Sequence, residues 1–143
     1  MKKPELNDII NRYDAVIFDM DGTLVDSMWV WEEIDQDFFR SRGMEFPENL
    51  HKEIEGMSFT ETAEYFVRTY QMAETVEEVK ETWNRMAVEK YRTKTPLKPG
   101  AMSFLEFLKH NGIRTGIATS NSSLLVDVFL KARGLESMID AIT

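Results

Sequence analysis

The sequence contains no cysteine. A disulfide framework and a thiolate zinc site are therefore excluded, and the composition suits a cytoplasmic setting. Histidine is scarce too. His51 and His110 are the 2 in 143 residues. They lie far apart with no ligand spacing around them, so both read as surface residues. Positive charge is also in short supply: 17 Lys and Arg stand against 25 Asp and Glu, a net charge of −8. Nucleic acid is not expected as a partner of such a chain. No apolar run approaches the roughly 20 residues of a membrane helix. The start, Met1-Lys-Lys-Pro4, is basic but lacks the apolar stretch of a secretory signal. No internal repeat or low-complexity tract occurs, and the acidic run Glu74–Glu81 reads as a solvated helix face. What remains is one ordinary domain's length with 43% hydrophobic residues, enough for a real core.

The informative stretch is Ala15-Val-Ile-Phe-Asp-Met-Asp-Gly-Thr-Leu-Val-Asp-Ser27. A short apolar run ending at a turn signal reads as a buried parallel strand. Open α/β sheets bind ligands beyond the carboxyl ends of such strands. Asp19 and Asp21, two residues apart on an extended chain, can face one pocket. One carboxylate can act as a nucleophile and the other as general acid and base. Their mutual repulsion calls for a divalent cation, and Mg²⁺ suits carboxylate and carbonyl oxygens. The plainer alternative is a turn and helix N-cap, which an Asp-x-Asp pair alone would fit equally well.

The full string Phe18-Asp-Met-Asp-Gly-Thr-Leu-Val-Asp-Ser27 resembles the first motif of the haloacid dehalogenase superfamily. That resemblance implies an α/β fold: a partial Rossmann-like core with a parallel sheet and an inserted all-helical cap. It implies Asp19 as nucleophile and Mg²⁺ ligand. Asp21 would be the general acid and base, binding the metal through its backbone carbonyl, and Thr23 would steady the loop.

From Met28 to Arg42, Val30, Ile34 and Phe38 recur at helical spacing, with Trp31 on the same side and Gly43 placed to end the helix. Trp29 and Trp31 are expected to pack in a core or between domains, the alternative being that one lines a substrate entrance. Pro47–Ile54 is a candidate short helix. Ser58-Phe-Thr-Glu61 and Thr75-Val-Glu-Glu78 are capping boxes that open two further helices. The first carries a stripe of Phe59, Ala63, Phe66, Val67 and Tyr70, the second one of Val76, Val79, Trp83, Met86 and Lys90/Tyr91. No strand signal appears between about 30 and 94. The expected division is a core at 1–27 and 95–143, incomplete at its C-terminus, and a helical cap at 28–94.

Lys94-Thr-Pro-Leu-Lys-Pro-Gly100 disfavours a continuing helix, and Pro99 suits the start of a new one. Ala101, Phe104, Leu105 and Leu108 form its expected buried face. Ile113–Ala118 reads as the second core strand, and the string from Pro99 to Ser120 also resembles the approach to the superfamily's second motif. That motif is Thr119-Ser-Asn-Ser122. A hydroxyl and exposed amides between a strand end and a helix N-terminus form a cradle for an anion. Such positive ends and a bound metal would let an acidic protein handle phosphate. Thr119, Ser120 and Asn121 are the expected substrate-binding residues. The alternative is that Asn121 or Ser122 caps the helix, whose stripe reads as Leu124, Val128 and Lys131/Ala132.

The expected reaction is Mg²⁺-dependent hydrolysis of a small phosphorylated metabolite through phospho-Asp19, with the cap closing to exclude solvent. A β-phosphoglucomutase-like phosphotransferase is the alternative. It is weakened because Phe59 follows Gly56-Met-Ser58 where that family usually has Arg. A non-catalytic module that binds phosphate or a protein is the third reading. Leu135–Thr143 reads as a turn and the opening of a third strand. By resemblance, a phosphate-binding Lys, an acidic pair completing the Mg²⁺ site and two flanking strands would follow. No residue here matches them. The chain is thus expected to be a catalytically impaired fragment. Its Ala15–Phe18 edge would be open to self-association or to a complementing chain.

Overall fold

The apolar run that ends in Asp19 forms β1 (Ala15–Asp19), and Arg114–Ala118 forms β2. They pair in parallel, with Ala15 beside Arg114 and Asp19 beside Ala118. Parallel neighbours need a long crossover, and this one carries five helices. A short β3 (Ala141–Ile142) pairs in parallel with the other side of β2, giving the order β1-β2-β3. This computed structural model describes residues 5–10 and 12–143, so the basic start Met1–Pro4 and Asn11 lie outside the described residues. The chain divides into two compact units, Met1–Met28 with Tyr91–Thr143, and Trp29–Lys90.

In the sheet unit, α1 (Leu6–Ile10) precedes β1. Two longer helices, α6 (Ala101–His110) and α7 (Ser123–Arg133), flank β2 in sequence. Leu105 and Leu108 of α6, Ile117 of β2, and Leu125, Val126, Phe129 and Leu130 of α7 are buried. Phe18 of β1 meets Phe104 of α6 edge-on at 5.8 Å between ring centroids. Two sequence expectations need correction. β1 is parallel but not buried: Ile17 is 70% exposed. It is the outer strand, so an apolar run identified the strand while its covering was decided by its place in the sheet. On α7, Leu124 is exposed and Leu125, Val126, Phe129 and Leu130 face inward. The inferred stripe was set one residue round the helix from the buried face.

The helical unit contains α2 (Val30–Ser41), α3 (Leu50–Glu53), α4 (Phe59–Thr69) and α5 (Val76–Thr93), whose last three residues belong to the sheet unit. α2 starts two residues later than Met28, and α3 is shorter than Pro47–Ile54. Both capping boxes form. Ser58 Oγ accepts from Glu61 N–H while Glu61 accepts from Ser58 N–H. Thr75 and Glu78 repeat the exchange. The core is aromatic: Phe66 meets Phe38, Trp83 and Tyr70 with centroids 5.9, 4.9 and 5.6 Å apart. Such ring pairs each add roughly 0.5–1.5 kcal/mol beyond area burial. The buried Lys90 Nζ donates to Glu33 at 2.7 Å and to Asp37 at 2.8 Å, tying α5 to α2. Trp31 is 36% exposed rather than a core residue, with its ring edge-on to Phe59. Among the described residues no helix is long and apolar enough to cross a membrane.

Candidate active site

The β1–β2 register sets Asp19 beside Ala118, so the two loops that follow these strands leave side by side. The first loop folds back on Met20, whose carbonyl accepts from the N–H groups of Leu24 and Val25 at 3.0 Å each. Gly22 makes this turn possible. Its φ is +74°, and a Cβ there would come within 2.9 Å of Met28 Sδ. The loop is pinned further by Asp26 N–H donating to Pro96 O and Lys98 N–H donating to Leu24 O, both at 2.9 Å.

Asp19 is exposed, and one carboxylate oxygen accepts from the Thr23 hydroxyl at 3.0 Å. Its other oxygen has no hydrogen bond among the described residues. Asp21 is held differently. Oδ1 accepts from Ser27 Oγ at 2.6 Å and from the Tyr91 hydroxyl, and Oδ2 accepts from Asn121 Nδ2. One carboxylate therefore faces solvent, while its neighbour two residues on is fixed by three donors.

The second loop contributes Thr119, Ser120 and Asn121. Thr119 Oγ1 accepts from Asn121 N–H at 3.2 Å, which keeps the Thr119 hydroxyl hydrogen available to an incoming acceptor. Ser120 is exposed. Ser122, not Asn121, is the α7 N-cap, its Oγ accepting from Leu125 N–H at 3.3 Å. Asp21 and Asn121 are thus brought together by hydrogen bonding, and Asp19 and Thr119 by strand register. His51 and His110 are exposed and stand outside this group.

Sequence reasoning missed Tyr91 and Ser27. Tyr91 is fully buried, and its hydroxyl is pushed up to about 12, first by burial and then by the hydrogen bond to Asp21. It remains a proton donor to Asp21 at any physiological pH. In sequence it was one more apolar position on a helix stripe. It lies 70 residues from Asp21, and no local spacing connects them.

The oxygens here suit a hard cation. Asp19 offers an exposed carboxylate, and no main-chain N–H among the described residues donates to the Asp21 carbonyl. Mg²⁺ takes one or two carboxylates and retains several waters, so this partial set fits it. Among the described residues no cluster of three or more acidic, His or Cys side chains forms a fuller cage.

A family profile described as "Haloacid dehalogenase-like hydrolase" matches residues 16–143. A Thermotoga maritima protein named "Phosphorylated carbohydrates phosphatase" is 31% identical over 130 residues, covering 89% of this chain and 59% of that protein. "Hexitol phosphatase B" of Escherichia coli is 26% identical over 134 residues, covering 90% of this chain and 59% of that protein. Among solved structures, a Thermotoga maritima protein provisionally named a beta-phosphoglucomutase superposes with TM-score 0.79 at 27% identity. The overlap is 90% of this chain and 60% of that one. The chain therefore spans under two thirds of the length of these relatives. With the parallel α/β core, the inserted helices and a match over nearly its whole length, the chain belongs to the haloacid dehalogenase-like hydrolase family.

Proposed function

We propose that the protein is a Mg²⁺-dependent phosphohydrolase of small phosphate monoesters that works through an aspartyl-phosphate on Asp19. The observation that carries this is the division of labour between two carboxylates on one loop. Asp19 is exposed with a free oxygen, and Asp21 is clamped by Ser27, Tyr91 and Asn121. Thr119, set on the adjacent strand end, retains a hydrogen to donate.

In the proposed reaction the free oxygen of Asp19 attacks phosphorus, and the P–O bond to the substrate alcohol breaks. Asp21 in its protonated form gives its proton to the departing oxygen. Asp21 then takes a proton from water, which attacks the acyl-phosphate and regenerates Asp19 with release of inorganic phosphate. The Thr119 hydroxyl donates to a phosphoryl oxygen throughout. Because both Asp21 oxygens already accept hydrogen bonds, proton delivery requires it to exchange one of them for the leaving group. Bound Mg²⁺, held by the Asp19 carboxylate and the Asp21 carbonyl, would supply positive charge against the phosphoryl oxygens.

The names of the two curated relatives favour a phosphorylated carbohydrate or polyol as substrate. The beta-phosphoglucomutase likeness supports a phosphotransferase as second reading, and Phe59 after Gly56-Met57-Ser58 counts against it. Ile17, exposed on the outer strand β1, leaves that edge open to a second copy or a complementing segment.

The test is a panel of sugar and polyol phosphates, with and without Mg²⁺, alongside β-glucose 1-phosphate. Hydrolysis predicts metal-dependent phosphate release from several esters. Isomerisation of β-glucose 1-phosphate with no net phosphate release would establish the mutase instead. Phosphate-dependent thermal stabilisation with no turnover of any ester would leave a binding module.

A further inference from the structure

The helical unit contains a cavity of about 230 Å³ that the catalytic residues do not line. Its walls include Trp31, Phe59 and Trp83, with Asp35 and Thr62 as the polar groups. The three rings form a continuous aromatic surface, Phe59 meeting Trp31 at 5.8 Å and Trp83 at 5.4 Å between centroids.

One feature of this cavity is costly unless something binds there. Asp35 is only 9% exposed and has neither a hydrogen bond nor an ion pair among the described residues. Trp83 is 2% exposed and contributes its ring to the wall. Buried polar groups are normally paired, and each orphan carries a desolvation penalty. Asp35 lines the cavity with no such partner. Lys90, the buried cation of α5, is committed to Glu33 and Asp37 on α2.

The charge pattern identifies the ligand. Among the described residues no basic side chain lines the cavity. Glu32, one turn away on the same helix, adds negative charge beside Asp35 and carries His51 at 4.0 Å. The elements packed opposite Asp35 contribute Ile54, Met57, Phe59, Thr62 and Trp83 to the wall, none of which titrates. A phosphate group would be repelled. An organic cation gains twice, from ring faces and from a carboxylate it can pair in a desolvated setting. We propose that this cavity is a binding site for a small organic ammonium group, held by the aromatic wall of Trp31, Phe59 and Trp83 and paired with Asp35. Burial, and secondarily Glu32, raise Asp35 to about 7, the behaviour of an acid awaiting a counter-charge.

Binding is read by thermal shift and tryptophan fluorescence on the whole chain, at constant ionic strength. The probes are choline, its uncharged isostere 3,3-dimethylbutan-1-ol, and sorbitol. Choline should raise the melting temperature and change the fluorescence at pH 8, with the isostere and sorbitol at least about tenfold weaker. Its affinity should fall about tenfold at pH 5.5, where Asp35 is protonated. Asp35→Asn should lose a similar factor at pH 8, and Phe59→Leu should weaken binding several-fold without touching the carboxyl. Equal response to choline and the isostere would overturn the proposal, as would sorbitol alone binding or choline failing to bind. If Asp35→Asn does not fold, the wild-type pH comparison and Phe59→Leu decide the matter.

Discussion

Asp35 gives the helical unit a stability that falls as pH rises. The carboxyl titrates near 3.8 when unfolded and at about 7 in the native protein, because burial and then Glu32 oppose its charge. Between these values the native state keeps a proton that the unfolded state has lost. Stability from this group is complete below about pH 4 and is lost progressively until about pH 7, above which both states are ionised. The interval is roughly three pH units at 1.36 kcal/mol each, so about 4 kcal/mol is at stake. Asn mimics the neutral acid in size and polarity. Asp35→Asn should match the wild type at pH 4.5 to within about 1 kcal/mol and exceed it by up to about 4 kcal/mol at pH 8. The assay is urea denaturation followed by intrinsic fluorescence. All 3 tryptophans, Trp29, Trp31 and Trp83, lie within Trp29–Lys90, so the signal reports that unit. Glu61 and Glu78 are held below the usual carboxylate range by hydrogen bonds from Ser58 and Thr75, which gives them the opposite slope. Taking the difference between variant and wild type removes their contribution. A difference that does not change between pH 4.5 and 8 would refute the reasoning.

Three further outcomes follow from local geometry. Ser58→Ala removes the acceptor for Glu61 N–H at the start of α4 and should cost about 1 kcal/mol in the same denaturation assay. Gly22→Ala forces a side chain into a left-handed conformation and against Met28 Sδ. It should cost at least about 1–2 kcal/mol by calorimetry and depress Asp19-dependent activity as the loop shifts. Tyr91→Phe removes one of the three donors to Asp21 and leaves the ring in place. It should lower kcat by roughly tenfold or more with little change in KM, since a charge-assisted hydrogen bond contributes about 1.5–3 kcal/mol. An unchanged pH–rate profile in that variant would argue against Tyr91 acting through Asp21.

What could be read in the sequence was what is decided locally. Ser58–Glu61 and Thr75–Glu78 name their own hydrogen-bond partners three residues away, and both boxes form. The run Ala15–Phe18 identified a parallel strand, and the string after it the turn that carries Asp21 and Gly22. What is decided by packing was not legible. Ile17 is exposed on the outer strand β1, a place in the sheet that the run itself does not encode and that only the family resemblance led us to expect. Asn121 was expected to face substrate as a phosphate donor. Its amide reaches Asp21 across 100 residues, a pairing that no local spacing announces. Tyr91 and Asp35 were missed for the same reason. Each occupies an ordinary helix position, and its significance comes from a neighbour far away or from having no partner among the described residues.

The central claim is that Asp19 carries the phosphoryl group, and the direct measurement is where that group sits during turnover. The protein is mixed with Mg²⁺ and a sugar or polyol phosphate that it hydrolyses, quenched in acid within the first turnovers, digested and sequenced by mass spectrometry. The phosphoryl mass should appear on Asp19, within the Ala15–Ser27 stretch, and both the adduct and the turnover should vanish in Asp19→Asn. Turnover that survives Asp19→Asn, or a phosphoryl group found on another residue, would contradict the account.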